Sequence, residues 1–308
     1  MTEPRLDFVT CASPVGLHRM AYWEWGDPAN DRVLVCVHGL TRTGRDFDTL
    51  ARRLSDRYRV VCPDVVGRGA SDWLVNPDGY IVPQYVADLL TLIARVDPAR
   101  LDWVGTSMGG LIAMALLGAQ AMARATRPDT AMKGLDAASG IPFGRIVLND
   151  IGPDLDLGGL ARIGLYVGQP VAFDTFEQAV DYIRGISEGF GPHAQEQWET
   201  LTRRVMVRKD GKWIKHYDLR MAQPFAMQNE AALRASEALL WSSYESIRVP
   251  VLVVRGERSD LLSADTAARM LARNPRAELH VVPGVGHAPT FMSDEQIEPV
   301  ERFLVRGD

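Results

Sequence analysis

Short runs of apolar residues alternate with stretches of helical periodicity along most of the chain. HRMAYWEWG, RVLVCVHG, YRVVCPDV and RLDWVGTS are the runs; FDTLARRLSD, YVADLLTLIARV and LIAMALLGAQAMA lie among them. Runs that are apolar throughout and separated by helical patterns are what strands buried on both faces of a mostly parallel sheet require. The pattern therefore predicts an α/β fold, doubly wound. It resumes near the end with VPVLVVRG, SADTAARMLARN, AELHVVPG and DEQIEPVERFLVRG, which places sheet at both ends of the chain.

Between about residues 154 and 241 the pattern changes to segments such as FEQAVDYIRGISEGF and HAQEQWETLTRRVMV, with no comparable apolar run. This predicts a helical cap over 154–241, inserted between core parts 1–153 and 242–308. A second excursion, 120–144, is long for a connection in a compact α/β fold, and the sequence assigns it no role.

The charge balance, 34 Lys+Arg against 39 Asp+Glu, is −5, which leaves no basic excess for nucleic acid or an anionic membrane. A small-molecule substrate fits better; oligomeric state is not read from the sequence. The uncharged stretch from Trp103 to Ala123 is broken by glycines, a Thr-Ser pair and a Gln, so strand, turn and buried helix are expected rather than membrane insertion. MTEPRLDFVT lacks the apolar region of a secretory signal, and a cytoplasmic location is expected. Cys11, Cys36 and Cys62 form no CxxC pair, so neither a disulfide framework nor a metal site is expected, and Cys36 and Cys62 read as small buried hydrophobes.

Candidate chemistry begins at Gly105-Thr106-Ser107-Met108-Gly109-Gly110, a GxSxG pattern between a strand and an apolar helix. Such a turn projects a serine hydroxyl from the tip of a sheet, above the start of a helix. A serine needs a base to take its proton. Of six histidines, His287 lies just after an apolar run ending in Pro and Gly, on a loop at the carboxyl end of a strand. The base needs a carboxylate partner, and Asp260, in VPVLVVRGERSDLLS, completes the chain order Ser, Asp, His. Its rivals are Glu257 on the same loop and Asp150 at the end of RIVLND. The turn His38-Gly39-Leu40-Thr41 can aim the Leu40 amide at the same spot as the Met108 amide, forming an oxyanion hole. His38 itself suits bracing of that turn, and Arg42, Arg45 and Trp73 are candidate substrate contacts.

HGLT at 38–41, PDVVGRGASD at 63–72, GTSMGG at 105–110, RGERSDLL at 255–262 and PGVGH at 283–287 together resemble the α/β-hydrolase superfamily, in particular its cap-bearing bacterial esterases and lipases. The resemblance implies an eight-stranded core sheet under a helical cap, a triad of Ser107, Asp260 and His287, and an oxyanion hole from the Leu40 and Met108 amides. It implies hydrolysis of a small ester through an acyl-enzyme on Ser107, with no metal or organic cofactor. In the segment 63–72 the expected task is structural, with Asp64 and Arg68 as polar braces. Serine at the elbow disfavours dehalogenase and epoxide hydrolase chemistry. Carbon–carbon hydrolases of ring-cleavage products, lyases, acyltransferases and triad-retaining binding proteins of this fold are the alternatives. Cap aromatics Tyr166, Phe173, Phe176, Tyr182, Phe190, Trp198 and Trp213 are expected to be mostly core, with two or three reaching a ligand.

Overall fold

Alternation within each apolar run decides how the sheet is covered. In β3 (Arg32–Val37), Val33, Val35 and Val37 pack on one face while Leu34 and Cys36 pack on the other, as the two-residue period of a strand demands. The computed structural model describes residues 3–125, 140–227 and 230–307. Before β3 come β1 (Arg5–Ser13) and β2 (Gly16–Trp25), and after it α1 (Asp48–Leu54) and β4 (Arg59–Pro63). Then follow α2 (Val82–Val96), β5 (Arg100–Thr106), α3 (Met108–Ala125) and β6 (Phe143–Asn149).

Before the next core strand the described residues form α4 (Leu157–Gly164), α5 (Phe176–Ile186), α6 (Gln195–Val205), β7 (Met206–Lys209), β8 (Lys212–Lys215), α7 (Ala222–Ala226) and α8 (Glu230–Glu245). The chain closes with β9 (Val251–Gly256), α9 (Ala264–Arg273), β10 (Ala277–Val282) and α10 (Asp294–Leu304). The eight-stranded sheet runs β1-β2-β4-β3-β5-β6-β9-β10. Among the described residues of this sheet, only the pairings of β1 with β2 and of β2 with β4 are antiparallel.

Residues of α2, α3 and α9 share one core with one face of the sheet; residues of α1 and α10 share the other. The order of crossovers reverses at β3, so the strand ends of β3, β5, β6 and β9 converge at one carboxyl edge, where open α/β sheets form sites. α3 is long and apolar enough to cross a membrane by length and composition, yet Met108, Ile112, Ala113, Met114, Leu116 and Leu117 are buried against the sheet. α8 lies along α3, where Gly118 lets Ser243 approach: a Cβ there would fall 2.1 Å from its Oγ. All three cysteines are buried and free.

Two strands depart from the expected pattern. β1 was not foreseen; its mixed sequence RLDFVTCAS alternates exposed and buried because it pairs only with β2 at the sheet edge. The inserted segment is not wholly helical either, since β7 and β8 form a hairpin through Asp210-Gly211, both at positive φ (49° and 78°). Asp-Gly between strands is a strong local hairpin signal. Residues 126–139 of the 120–144 excursion lie outside the described residues; its first part, through Ala125, continues α3.

Candidate active site

Ser107 sits between β5 and α3 with a φ of 51°, a left-handed conformation uncommon for a residue with a Cβ. Close packing holds it there. A Cβ on Gly109 would lie 2.0 Å from the Val37 carbonyl oxygen, so only glycine lets the start of α3 press against the end of β3. The Ser107 amide donates to the Asn149 carbonyl (3.0 Å), tying the turn to the end of β6.

His287 lies on the loop between β10 and α10, and its Nε2 is 2.9 Å from Ser107 Oγ. The structure thus brings these two expected residues together. The carboxylate at the far side of the ring is Asp150, with Oδ2 2.8 Å from His287 Nδ1. Asp150 is fully buried at the end of β6, at a φ of 55°. It also accepts hydrogen bonds from the Gly256 amide (2.8 Å) and the Ser259 hydroxyl (2.6 Å). A buried carboxylate without such donors would be costly, and this set of bonds fixes its direction.

The expectation that Asp260 partners His287 is not met. Asp260 turns outward and accepts two bonds from Arg162 of α4 (2.5 and 2.9 Å), and that guanidinium holds its carboxyl below the usual range. Its neighbour Ser259 faces the site instead. Trp73 is also corrected: it is half exposed and lines neither cavity beside Ser107. Arg42 does line the site, bound to Asp46 through two bonds (2.6 and 2.8 Å), whereas Arg45 is taken by Asp48 on another surface.

The turn after β3 is braced from below. Burial lowers the His38 imidazole to about 3, so the ring is neutral; its Nδ1 donates to the Gly39 carbonyl and its Nε2 accepts from the Val65 amide. Arg68, fully buried, donates to the carbonyls of Leu40 and Val66 and packs against the rings of Tyr80 and Tyr85. Asp64 accepts from the Gly44 and Ala70 amides. Leu40 and Met108 both border Ser107, and Met108, in the first turn of α3, belongs to the helix positions whose amides lack an intrahelical acceptor.

Two cavities meet at Ser107 and Leu40. The first, about 100 Å³, also holds His287, Arg42, Arg162, Tyr166, Phe190 and Lys215. The second, about 310 Å³, is walled mainly by apolar side chains, among them Met108, Leu111, Ile151, Leu160 and Phe225. Of the seven aromatics expected in the insertion, Tyr166 and Phe190 reach the first cavity; Phe173, Phe176, Tyr182, Trp198 and Trp213 do not. Tyr217 and Lys215 line it too, and neither was singled out from the sequence.

Away from this edge, Cys11, His18 and Asp88 come together in the core, with ligand-type atoms within 4.8 Å of one another. His18 Nε2 is bonded to Asp88 Oδ2 (3.0 Å), and burial raises the Cys11 thiol to about 12, which keeps it protonated. The trio suits a neutral thiol beside a His-Asp pair better than thiolate ligation.

Comparison with known proteins agrees with the fold. Residues 34–301 match the model of the alpha/beta hydrolase family. The chain is 51% identical to a 3-hydroxybutyrate-oligomer hydrolase of Cupriavidus necator, over 98% of both chains. It is 27% identical to a pimeloyl-[acyl-carrier protein] methyl ester esterase of Xanthomonas campestris, over 88% of this chain and 94% of that one. Among solved structures, an alpha/beta hydrolase from Novosphingobium aromaticivorans superposes with a TM-score of 0.82 at 35% identity, over 99% of each chain.

Proposed function

The chain belongs to the alpha/beta hydrolase family, and from that premise we propose that it hydrolyses carboxylic esters through an acyl-enzyme on Ser107, with short 3-hydroxybutyrate oligomers as substrates. The observation that carries this reading is the hydrogen-bonded line from Ser107 Oγ through His287 to Asp150. The 51% identical relative, named for hydrolysis of 3-hydroxybutyrate oligomers, supports the choice of ester.

In this mechanism His287 Nε2 takes the Ser107 proton as Oγ attacks the ester carbonyl. Asp150 accepts from Nδ1–H, which fixes the tautomer and stabilises the imidazolium that forms. We assign the acid role to Asp150 in place of Asp260. The Leu40 and Met108 amides donate to the developing oxyanion, each worth about 3 to 4 kcal/mol when well aimed. His287 then returns the proton to the leaving alcohol, and water, activated by the same imidazole, releases the acid. The inserted segment, 154–241, acts as a cap that shapes the substrate cavities.

Hydrolysis of the 3-hydroxybutyrate dimer and trimer, measured beside 4-nitrophenyl acetate, tests the proposal. Turnover that falls by about 10⁴-fold or more in Ser107→Ala, with an acyl adduct on Ser107 of the wild type, is the expected result. Turnover that survives the substitution would overturn it.

A further inference from the structure

Cations around the first cavity differ in one respect. Arg42 is neutralised by Asp46 and Arg162 by Asp260, each through two bonds. Lys215, at the end of β8 and 7% exposed, has no carboxylate partner among the described residues. Its Nζ donates to the carbonyls of Tyr166 (2.7 Å) and Gln169 (2.8 Å) and lies near the faces of Tyr182 and Tyr217. An ammonium has three protons, and these carbonyls take two. Burial without an opposing charge lowers the group to about 8, the opposite of what a paired lysine would show. A buried cation that lines a cavity and lacks an anion is costly unless a ligand supplies one.

The direction of the substrate follows from which cavity holds which group. His287, which must hand its proton to the leaving alcohol, lines the first cavity and not the second. Met108, whose amide faces the carbonyl oxygen in the proposed mechanism, lines the second and not the first. The alcohol half therefore occupies the first cavity, and the acyl half extends into the larger, apolar one.

Resting on the proposed ester hydrolysis, we infer that Lys215 binds a free carboxylate on the alcohol half of the substrate, so that the enzyme removes hydroxy acid units from the carboxyl end of an oligomer. In each cycle the ester carbonyl carbon bonds to Ser107 Oγ and its bond to the alcohol oxygen breaks. That oxygen takes the proton from His287, and a hydroxy acid leaves with its carboxylate intact. The small volume of the first cavity suits one short unit at a time.

The test compares the 3-hydroxybutyrate dimer as free acid with the same dimer capped as its terminal primary amide. In the wild type, kcat/KM for the acid should exceed that for the amide by at least about tenfold, the scale of one buried charge-assisted bond. Lys215→Met should bring the ratio near one. Lys215→Gln keeps a donor for the Tyr166 and Gln169 carbonyls while removing the charge, so it should also lose the ratio even if the Met variant fails to fold. A wild-type ratio near one, or a ratio that persists in Lys215→Gln, overturns the assignment while leaving ester hydrolysis standing. Equal losses on both dimers would make Lys215 a brace for the β7–β8 hairpin and overturn it too. Absence of Ser107-dependent turnover on either dimer and on 4-nitrophenyl acetate would remove the ester reading, and this inference with it.

Discussion

Two strand-end loops carry a carboxylate within reach of the same site, and they use it in opposite ways. At the end of β6, Asp150 is fully buried, held in a left-handed conformation and surrounded by donors from β9, its following loop and His287. After β9, Asp260 is 42% exposed at its side chain and clasped to Arg162 of the inserted segment. One carboxylate thus holds an imidazole, while the other holds a guanidinium of α4. Asp150 directly follows its strand and Asp260 lies further along its loop; burial and the number of donors give them their roles.

The largest effect should come from Asp150→Asn. An amide there can offer a proton where His287 Nδ1–H already donates, disfavouring the tautomer that accepts from Ser107, and kcat should fall by about 10³ to 10⁴ in steady-state ester hydrolysis. If the loss is under tenfold, the proposed line of residues is wrong. Asp260→Asn should cost far less, at most about fivefold in kcat/KM, because an exposed ion pair contributes about 0.2 to 1 kcal/mol. A fall in kcat equal to that of Asp150→Asn would erase the contrast between the two loops.

The smallest effect concerns acid. Arg162 lowers the Asp260 carboxyl in the folded state, so its contribution to stability is complete above the ordinary carboxylate value, about pH 4, and is lost as pH falls through the lowered one. The difference in thermal midpoint between wild type and Asp260→Asn should therefore shrink on acidification below about pH 4. A difference that grows there would contradict the assigned pairing.

The sheet, the elbow at Ser107 and the loop of His287 were legible because each is local: an apolar run, a glycine pattern or a strand-terminal turn announces it. Asp150 was legible only as a rival to Asp260. Both follow apolar runs and both fit the order Ser, Asp, His; the preference for Asp260 came from its loop after VPVLVVRG and the RGERSDLL segment, which carry no information on which way a side chain turns. What decides between them is tertiary: Ser259 and the Gly256 amide converge on Asp150, while α4 brings Arg162 to Asp260. The β7–β8 hairpin had a readable signal in Asp210-Gly211, masked by the helical segments around it. Lys215 had none, because a lysine in KWIK looks like any solvated strand residue until two tyrosine rings and two carbonyls enclose it.

Asn149, next to Asp150, bonds through Nδ2 to the Thr106 hydroxyl (3.0 Å) and to the Pro289 carbonyl (2.8 Å), while its own carbonyl accepts from the Ser107 amide. Two adjacent residues of one strand therefore grip both the turn of the serine and the loop of the histidine. The strand end thus serves both partners as one platform carrying two instruments. A displacement of that strand end would carry both partners together and leave the 2.9 Å separation of Ser107 Oγ and His287 Nε2 little changed.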